Sequence, residues 1–325
     1  MTREGATPGR ISIILVTYNH ERYVGRALRS LAGQIVDREV EVVVADDAST
    51  DATMEIVRAF AREHPQWPFR FLDNAVNLGI TRNYQRAFAA CTGEYVAVLE
   101  GDDYWISPWK LARQCAFLDA HWECDLCSVN YFVYEQHAAR FTPRTAVGSV
   151  SGSGHRLLGA RDLIADNLVG NFSTCMYRKT ALDALPPALF DLVSYDWIVN
   201  ICVARTGLIG FLERPMSVYR LHEGGVWSRK SPEEQVREQI ALIRDYDALT
   251  GHVFSAEFQA LTDVLHRRAA ARFLTERVGG AARFSPGWPS RFAEYLPPVL
   301  LSAARALLPP RLHRFLSGKA GSEGS

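Results

Sequence analysis

The stretch YVAVLEGDDYW, residues 95–105, decides how this chain folds. An apolar, partly β-branched run of this kind predicts a strand covered on both faces. It leads straight into Glu100, Asp102 and Asp103, and then into Tyr104 and Trp105. Adjacent carboxylates repel each other, and a buried pair is costly unless something positive neutralises it. Either the acids point into water or they hold a cation.

Upstream, the same pattern repeats. ISIILV (11–16) reads as a buried strand, and ERYVGRALRSLAGQ (21–34) follows with the helical spacing of Val24, Leu28 and Leu31. VEVVVA (40–45) is a second strand, and DDASTDATMEIVRAFAREH supplies a turn and a helix. FRFLDN (69–74) is a third strand, and TRNYQRAFAACTG (81–93) is a helix closed by Gly93. Strands alternating with helices imply a parallel, doubly wound sheet. Ligands bind such sheets beyond the carboxyl ends of the strands. There lie Thr17-Tyr18-Asn19, Asp46-Asp47, the segment Asn74 to Asn77, and Asp102-Asp103. Four polar clusters at one edge argue for a site, since mere solvated turns would be shared between both edges.

Downstream, PWKLARQCAFLDAH (108–121) reads as a helix opened by proline and DLCSVNYFVYE (125–135) as a strand. The glycine- and serine-rich VGSVSGSGHRLLG (147–159) is expected to be a mobile loop. A short helix (160–167), a strand FSTCMYRK (172–179), a helix around YDWIVNICVARTG (195–207) and a strand ending in MSVYRLH (216–222) follow. Residues 231 to about 278 read as mainly helical. The domain plan is therefore a flexible 1–9, two halves of an α/β domain over 10–110 and 111–228, and a helical region over 229–325. No internal repeat is present.

The 325 residues suffice for a full core, and 36 basic residues balance 36 acidic ones, so nothing suggests a nucleic-acid partner. Of six cysteines only Cys124 and Cys127 form a CxxC, with no second pair to complete a zinc site; free thiols in a reducing cytosol are expected. MTREGATPGR lacks the apolar run of a signal peptide, and no stretch reaches the ~18 apolar residues that span a bilayer. The expected location is the cytoplasm. Leucines interleaved with Arg305, Arg311 and Arg314 allow peripheral contact with the inner face of a membrane, packing on the catalytic domain, or a homodimer contact.

The chemistry narrows by elimination. No G-x-G-x-x-G follows the first strand, and neither a phosphate-cradling G-x-x-x-x-G-K-[ST] nor a G-x-S-x-G nucleophile elbow occurs. Carboxylates stand where a phosphate-bearing ligand would sit, and both are anionic. A divalent cation, Mn²⁺ or Mg²⁺, resolves the conflict by binding carboxylate oxygens on one side and phosphate oxygens on the other. It would also stabilise a departing diphosphate.

At this point a resemblance emerges. ISIILVTYNHERYVGRALRSLAGQ, VEVVVADDASTDAT, NLGITRNYQRAFAACTGEYVAVLEGDDYW and YRLH, in this order over residues 10 to about 228, resemble the family 2 glycosyltransferases. The resemblance implies a GT-A fold, an α/β architecture with a Rossmann-like, mostly parallel sheet flanked by helices, here with a C-terminal helical appendage. It also implies inverting transfer of a sugar from a nucleotide diphosphate, commonly a UDP-sugar, to a glycan or lipid-linked acceptor in surface polysaccharide assembly. It gives Val16, Thr17 and Tyr18 the nucleobase and Asp47 the base or ribose, and lays Asn77, Gly79, Arg82 and Asn83 against the nucleotide. GDDY stands for the family's DxD motif, with Asp103 as metal ligand, Asp102 on the ribose or supporting the metal, and His222 completing the metal shell.

Inversion needs a base for the acceptor hydroxyl, and a carboxylate in a partly closed site suits that task. In SYDW (194–197) the resemblance points to Asp196, with Asp191 as the fallback. Each residue also has a plainer reading. Asp46-Asp47 with Ser49 would cap the next helix, Asp196 would be a helix N-terminal acid, and His222 a packed histidine. A dTDP-rhamnose donor, an inactive sugar-nucleotide-binding module and a nucleotidyltransferase are the rival functions. The last usually carries a glycine- and basic-rich first loop, which VTYNHERYV is not.

Overall fold

The computed structural model describes residues 6–279 except 73, 145–152, 226, 228 and 229, with 270–279 as backbone alone. The chain divides into two compact units, 1–261 and 262–325. Residues 229–261, read as part of the helical region, fall within the first unit. The helix that follows residue 229 is tied to the first unit, for instance by the Tyr246 hydroxyl donating to the Val193 carbonyl at 2.8 Å. Within the second unit only the end of one helix is described, so the anticipated membrane or subunit contact of the C-terminal arginines lies outside the described residues.

The first unit begins with β1 (Thr7–Thr17), α1 (Val24–Ala32), β2 (Val40–Asp46), α2 (Thr53–Glu63), β3 (Phe69–Phe71), α3 (Ile80–Ala90) and β4 (Gly93–Glu100). It continues through β5 (Tyr104–Trp105), α4 (Lys110–Ala120), β6 (Cys124–Glu135), β7 (Arg140–Pro143), β8 (His155–Leu158), α5 (Ala160–Ala165), β9 (Cys175–Arg178), α6 (Lys179–Asp183), α7 (Asp196–Val203), β10 (Leu208–Leu221) and α8 (Pro232–Leu249). The last helix, α9 (Ser255–Gly279), crosses the boundary between the units.

Among the described residues ten strands form one sheet with the path β3-β2-β1-β4-β9-β6-β10-β5; β7 pairs with β6 and β8 with β10. The first four strands are parallel, as the alternation of strands and helices requires. Ile11, Ile13, Ile14 and Leu15 are fully buried, so β1 is covered on both faces. Helix α1 buries Val24, Ala27, Leu28 and Leu31 against it, an i, i+3, i+4, i+7 stripe.

Beyond β4 the order changes. β9 runs antiparallel to both β4 and β6, and β10 is parallel to β6. The short β5 pairs antiparallel with β10, joining Tyr104 to Val218 and Trp105 to Ser217. Spacing shows no such two-residue strand, because its partner lies over a hundred residues away. Of the expected strand FSTCMYRK, residues Phe172–Thr174 form a 3₁₀ turn and only Cys175–Arg178 pair. Of the glycine-rich segment, 147–152 lie outside the described residues, while His155–Leu158 pair with β10. The six cysteines are all buried free thiols.

Candidate active site

Four loops meet at the carboxyl ends of the parallel strands. Behind β1, Asn19 takes a left-handed backbone (φ 54°), which asparagine tolerates. Its Oδ1 accepts from Thr50 N at 2.8 Å and its own N–H donates to Ser49 Oγ at 2.8 Å, lacing this loop to the turn after β2. In that turn Ala48 also has positive φ (59°), a strained conformation for alanine. The aspartates on either side hold it there. Asp46 accepts from Thr17 Oγ1, Ser49 N and Ser49 Oγ at 2.8, 2.8 and 2.5 Å. Asp47 accepts from Leu78 N at 2.7 Å and Gly79 N at 3.0 Å. Gly79 needs its φ of +79° to aim that N–H, so glycine is required.

The remaining donor-side candidates follow from this lacing. Asn77 Nδ2 donates to the Asp47 carbonyl at 3.0 Å. Asn83 is buried on α3, where it donates to the Ala45 carbonyl at 2.8 Å and accepts from Arg86, so it braces β2. Val16 and Thr17 end β1, with Thr17 fully buried, whereas Tyr18 is about half exposed. Arg82 is exposed, and its guanidinium donates to Asp191 Oδ1 at 2.7 Å and to Gln85 Oε1 at 2.8 Å.

At the end of β4 the acids are packed differently. Gly101 is closed in by Thr17 and His20; a Cβ there would lie 2.7 Å from Thr17 Cγ2 and 2.8 Å from His20 Nδ1. This close approach sets the carboxylates against the first loop. Asp102 Oδ2 lies 3.0 Å from His222 Nε2 and 3.8 Å from His20 Nε2. Burial would raise the Asp102 carboxyl, but His20 and the His222 hydrogen bond outweigh it and hold the group below the usual range. His20 itself is pushed down by burial, against the pull of Asp102.

Asp103 turns the other way. It is 1% exposed, and its Oδ1 accepts from Arg220 N at 2.8 Å while its Oδ2 has no hydrogen-bond partner. Burial and the Asp102 charge push its carboxyl well up. Glu100 is likewise raised, by burial and by Asp102 and Asp103, and it accepts from Tyr84 OH at 3.0 Å. The Arg220 guanidinium, itself buried, donates to the Asp102 carbonyl at 2.8 Å and clamps this turn to β10.

Asp196 opens α7 and lies within electrostatic reach of Glu100. It is partly accessible, and Asn167 Nδ2 donates to its Oδ2 at 3.2 Å. Burial pushes its carboxyl up to about 6, in the range of a working base near neutral pH. Asp191 stands apart, largely exposed and paired with Arg82. Trp227 packs edge-on against Tyr195, at 6.0 Å, beside Asp196. Tyr219 on β10 lies within electrostatic reach of Asp103, Glu100, Asp102 and Asp196 alike. It stood inside the quoted YRLH context, and its place at the centre came from the β10 register, which spacing does not show.

A divalent cation can be tested against these donors. Asp102 and His222 offer one carboxylate and one imidazole in contact, a mixture that suits Mn²⁺ better than Mg²⁺. Among the described residues no third His, Cys, Asp or Glu completes a cluster. The pair therefore fits a cation that shares its shell with diphosphate oxygens, rather than one caged by protein alone.

A mixed sheet with a parallel nucleotide-side half and carboxylates at its strand ends defines a GT-A glycosyltransferase. The chain belongs to glycosyl transferase family 2, whose pattern matches residues 12–185. It is 33% identical over 259 residues to an uncharacterized Mycobacterium tuberculosis protein, covering 79% of this chain and 69% of that one. An uncharacterized glycosyltransferase of Nostoc is 26% identical over 330 residues, covering 94% of this chain and 98% of the relative. Among solved structures, Staphylococcus aureus TarS 1–349 in complex with UDP-GlcNAc superposes with a TM-score of 0.59 at 20% identity, covering 94% of this chain and 84% of that one. The mannosyltransferase PcManGT of Pyrobaculum calidifontis, in complex with GDP-Man and Mn²⁺, gives 0.56 at 19% identity, covering 98% and 89%. These likenesses establish the fold. Among the described residues no helix is long and apolar enough to cross a membrane.

Proposed function

We propose that this glycosyltransferase is inverting and metal-dependent, and that it moves a sugar from a UDP-sugar to a glycan or lipid-linked acceptor in cytoplasmic assembly of a surface polysaccharide. The observation that carries the reading is the contact of Asp102 with His222, 120 positions apart in the chain, between the end of β4 and the end of β10, with Asp196 within electrostatic reach of the neighbouring Glu100. Asp102, rather than Asp103, is the carboxylate assigned to the cation with His222. Asp103 spends its one bonded oxygen on Arg220 N and is closed off from the cleft. A cation there would neutralise the diphosphate as it departs.

The protein's own part is placement and proton transfer. Asp196 takes the proton of the acceptor hydroxyl as its oxygen bonds to the anomeric carbon. The bond from that carbon to the diphosphate breaks, and the electron pair leaves with the diphosphate. The Asp47 turn and the Asn77–Gly79 segment shape the nucleotide side, and Tyr219 stands ready to donate a hydrogen bond between the acids. A thermal-shift series with UDP, dTDP and GDP, each with and without Mn²⁺, tests the donor class. UDP with Mn²⁺ should raise the melting temperature most; a larger rise with dTDP would transfer the proposal to a rhamnosyl donor.

A further inference from the structure

We infer that Asn167 is a positioning residue for the proposed base, holding the Asp196 carboxylate in one orientation toward the acceptor hydroxyl. The inference rests on the reading of Asp196 as base and adds a residue that no sequence motif singles out. Asn167 lies in the connection after α5, and its Nδ2 makes two hydrogen bonds, one to Asp196 Oδ2 at 3.2 Å and one to the Gly170 carbonyl at 2.9 Å. An amide has two N–H bonds, so one is anchored on backbone and the other is thereby aimed at the carboxylate.

The same short segment is rich in unmet polar groups. Asn167 Oδ1 and both amide atoms of Asn171, a residue 8% exposed, have no hydrogen-bond partner in the protein. Folding alone disfavours such a density of unpaired buried groups, and sites that bind polar ligands tolerate it. Asn171 also opens the 3₁₀ turn whose Ser173 Oγ accepts from Glu100 N at 3.0 Å, so the segment spans from the base to the acids at the end of β4.

The charge balance supports the assignment. Burial raises the Asp196 carboxyl, and the Asn167 hydrogen bond is the largest effect opposing it. Glu100, Tyr84, Tyr131, Tyr177, Tyr219, Tyr246 and Cys175 are the titratable groups that sense Asp196 from the surrounding strands and helices. Only Glu100 among them is a carboxylic acid, and burial with the Asp102 and Asp103 charges raises its carboxyl well above the usual range. Losing the amide donor should therefore leave Asp196 a carboxylate that ionises at higher pH and points less reliably.

The test is a carboxyl ¹³C NMR titration of the full chain labelled at aspartate, with the Asp196 signal identified by its loss in Asp196→Asn. In Asn167→Ala and in the isosteric Asn167→Leu the Asp196 titration should move up by about one pH unit. Release of UDP from UDP-GlcNAc with Mn²⁺, water serving as acceptor, should fall about fivefold at pH 6 and recover toward pH 8. UDP affinity should stay unchanged. An Asp196 titration unmoved in a folded variant overturns the positioning role, as does loss of fold in both variants. Turnover preserved in Asp196→Asn would instead overturn the base reading, while the titration still decides what Asn167 does.

Discussion

Two turns with adjacent aspartates flank β1, one after β2 and one after β4, and they look alike in the sequence. Their environments differ. At Asp46-Asp47 the carboxylates accept five hydrogen bonds from hydroxyls and backbone N–H groups. At Asp102-Asp103 one carboxylate faces two histidines, and the other is buried with an oxygen that has no partner. The first turn is a finished structural joint. The second sets one acid against histidines and leaves the other buried and short of a partner, the place to which the proposed cation is assigned through Asp102 and His222. Paired acids in a sequence thus mark a place, and their partners decide the task.

The largest break in this contrast should come from the base. Asp196→Asn should lower transfer by a factor of about 10²–10⁴ and leave UDP binding intact. In the native protein, activity should rise with pH through about 6, as Asp196 loses its proton. Stability has the opposite sign. The carboxyl is raised from 3.8, so the native state is favoured below pH 3.8 and that advantage is lost as pH climbs through about 6. The shift corresponds to at most about 3 kcal/mol. Asp196→Asn should therefore melt at a higher temperature than the native protein at pH 7.5 by calorimetry, the gap closing at pH 4.

Smaller effects separate the two turns. Asp47→Ala strands the Leu78 and Gly79 N–H groups, so it should cost about 1–3 kcal/mol in denaturant unfolding and also weaken UDP binding. Asp46→Ala should cost about 1 kcal/mol with little change in nucleotide affinity, since its partners Thr17 and Ser49 are internal to the joint. Asp103→Asn should have the smallest effect on folding, because an amide oxygen can still accept from Arg220 N.

The parallel half and its strand-end clusters were legible from the sequence because periodicity and strand–helix alternation are local signals. Asp196 was legible only through the resemblance, which already ranked it above Asp191; the burial of the one and the Arg82 pair of the other are features that spacing does not encode. The division of labour between Asp102 and Asp103 was likewise hidden, since it depends on how β10 brings Arg220 and His222 to the turn. His20, Tyr219 and Asn167 escaped for the same reason: each owes its place to contacts made far along the chain. Asn83 and Arg82, read as lying against the nucleotide, are engaged with the Ala45 carbonyl and with Asp191.

Calorimetric titration of UDP into the native protein, Asp102→Asn and Asp103→Asn, each with and without Mn²⁺, tests the central contrast most directly. Mn²⁺ should strengthen UDP binding to the native protein and to Asp103→Asn, and the gain should vanish in Asp102→Asn. An undiminished gain in Asp102→Asn, or its loss in Asp103→Asn alone, would contradict the assignment.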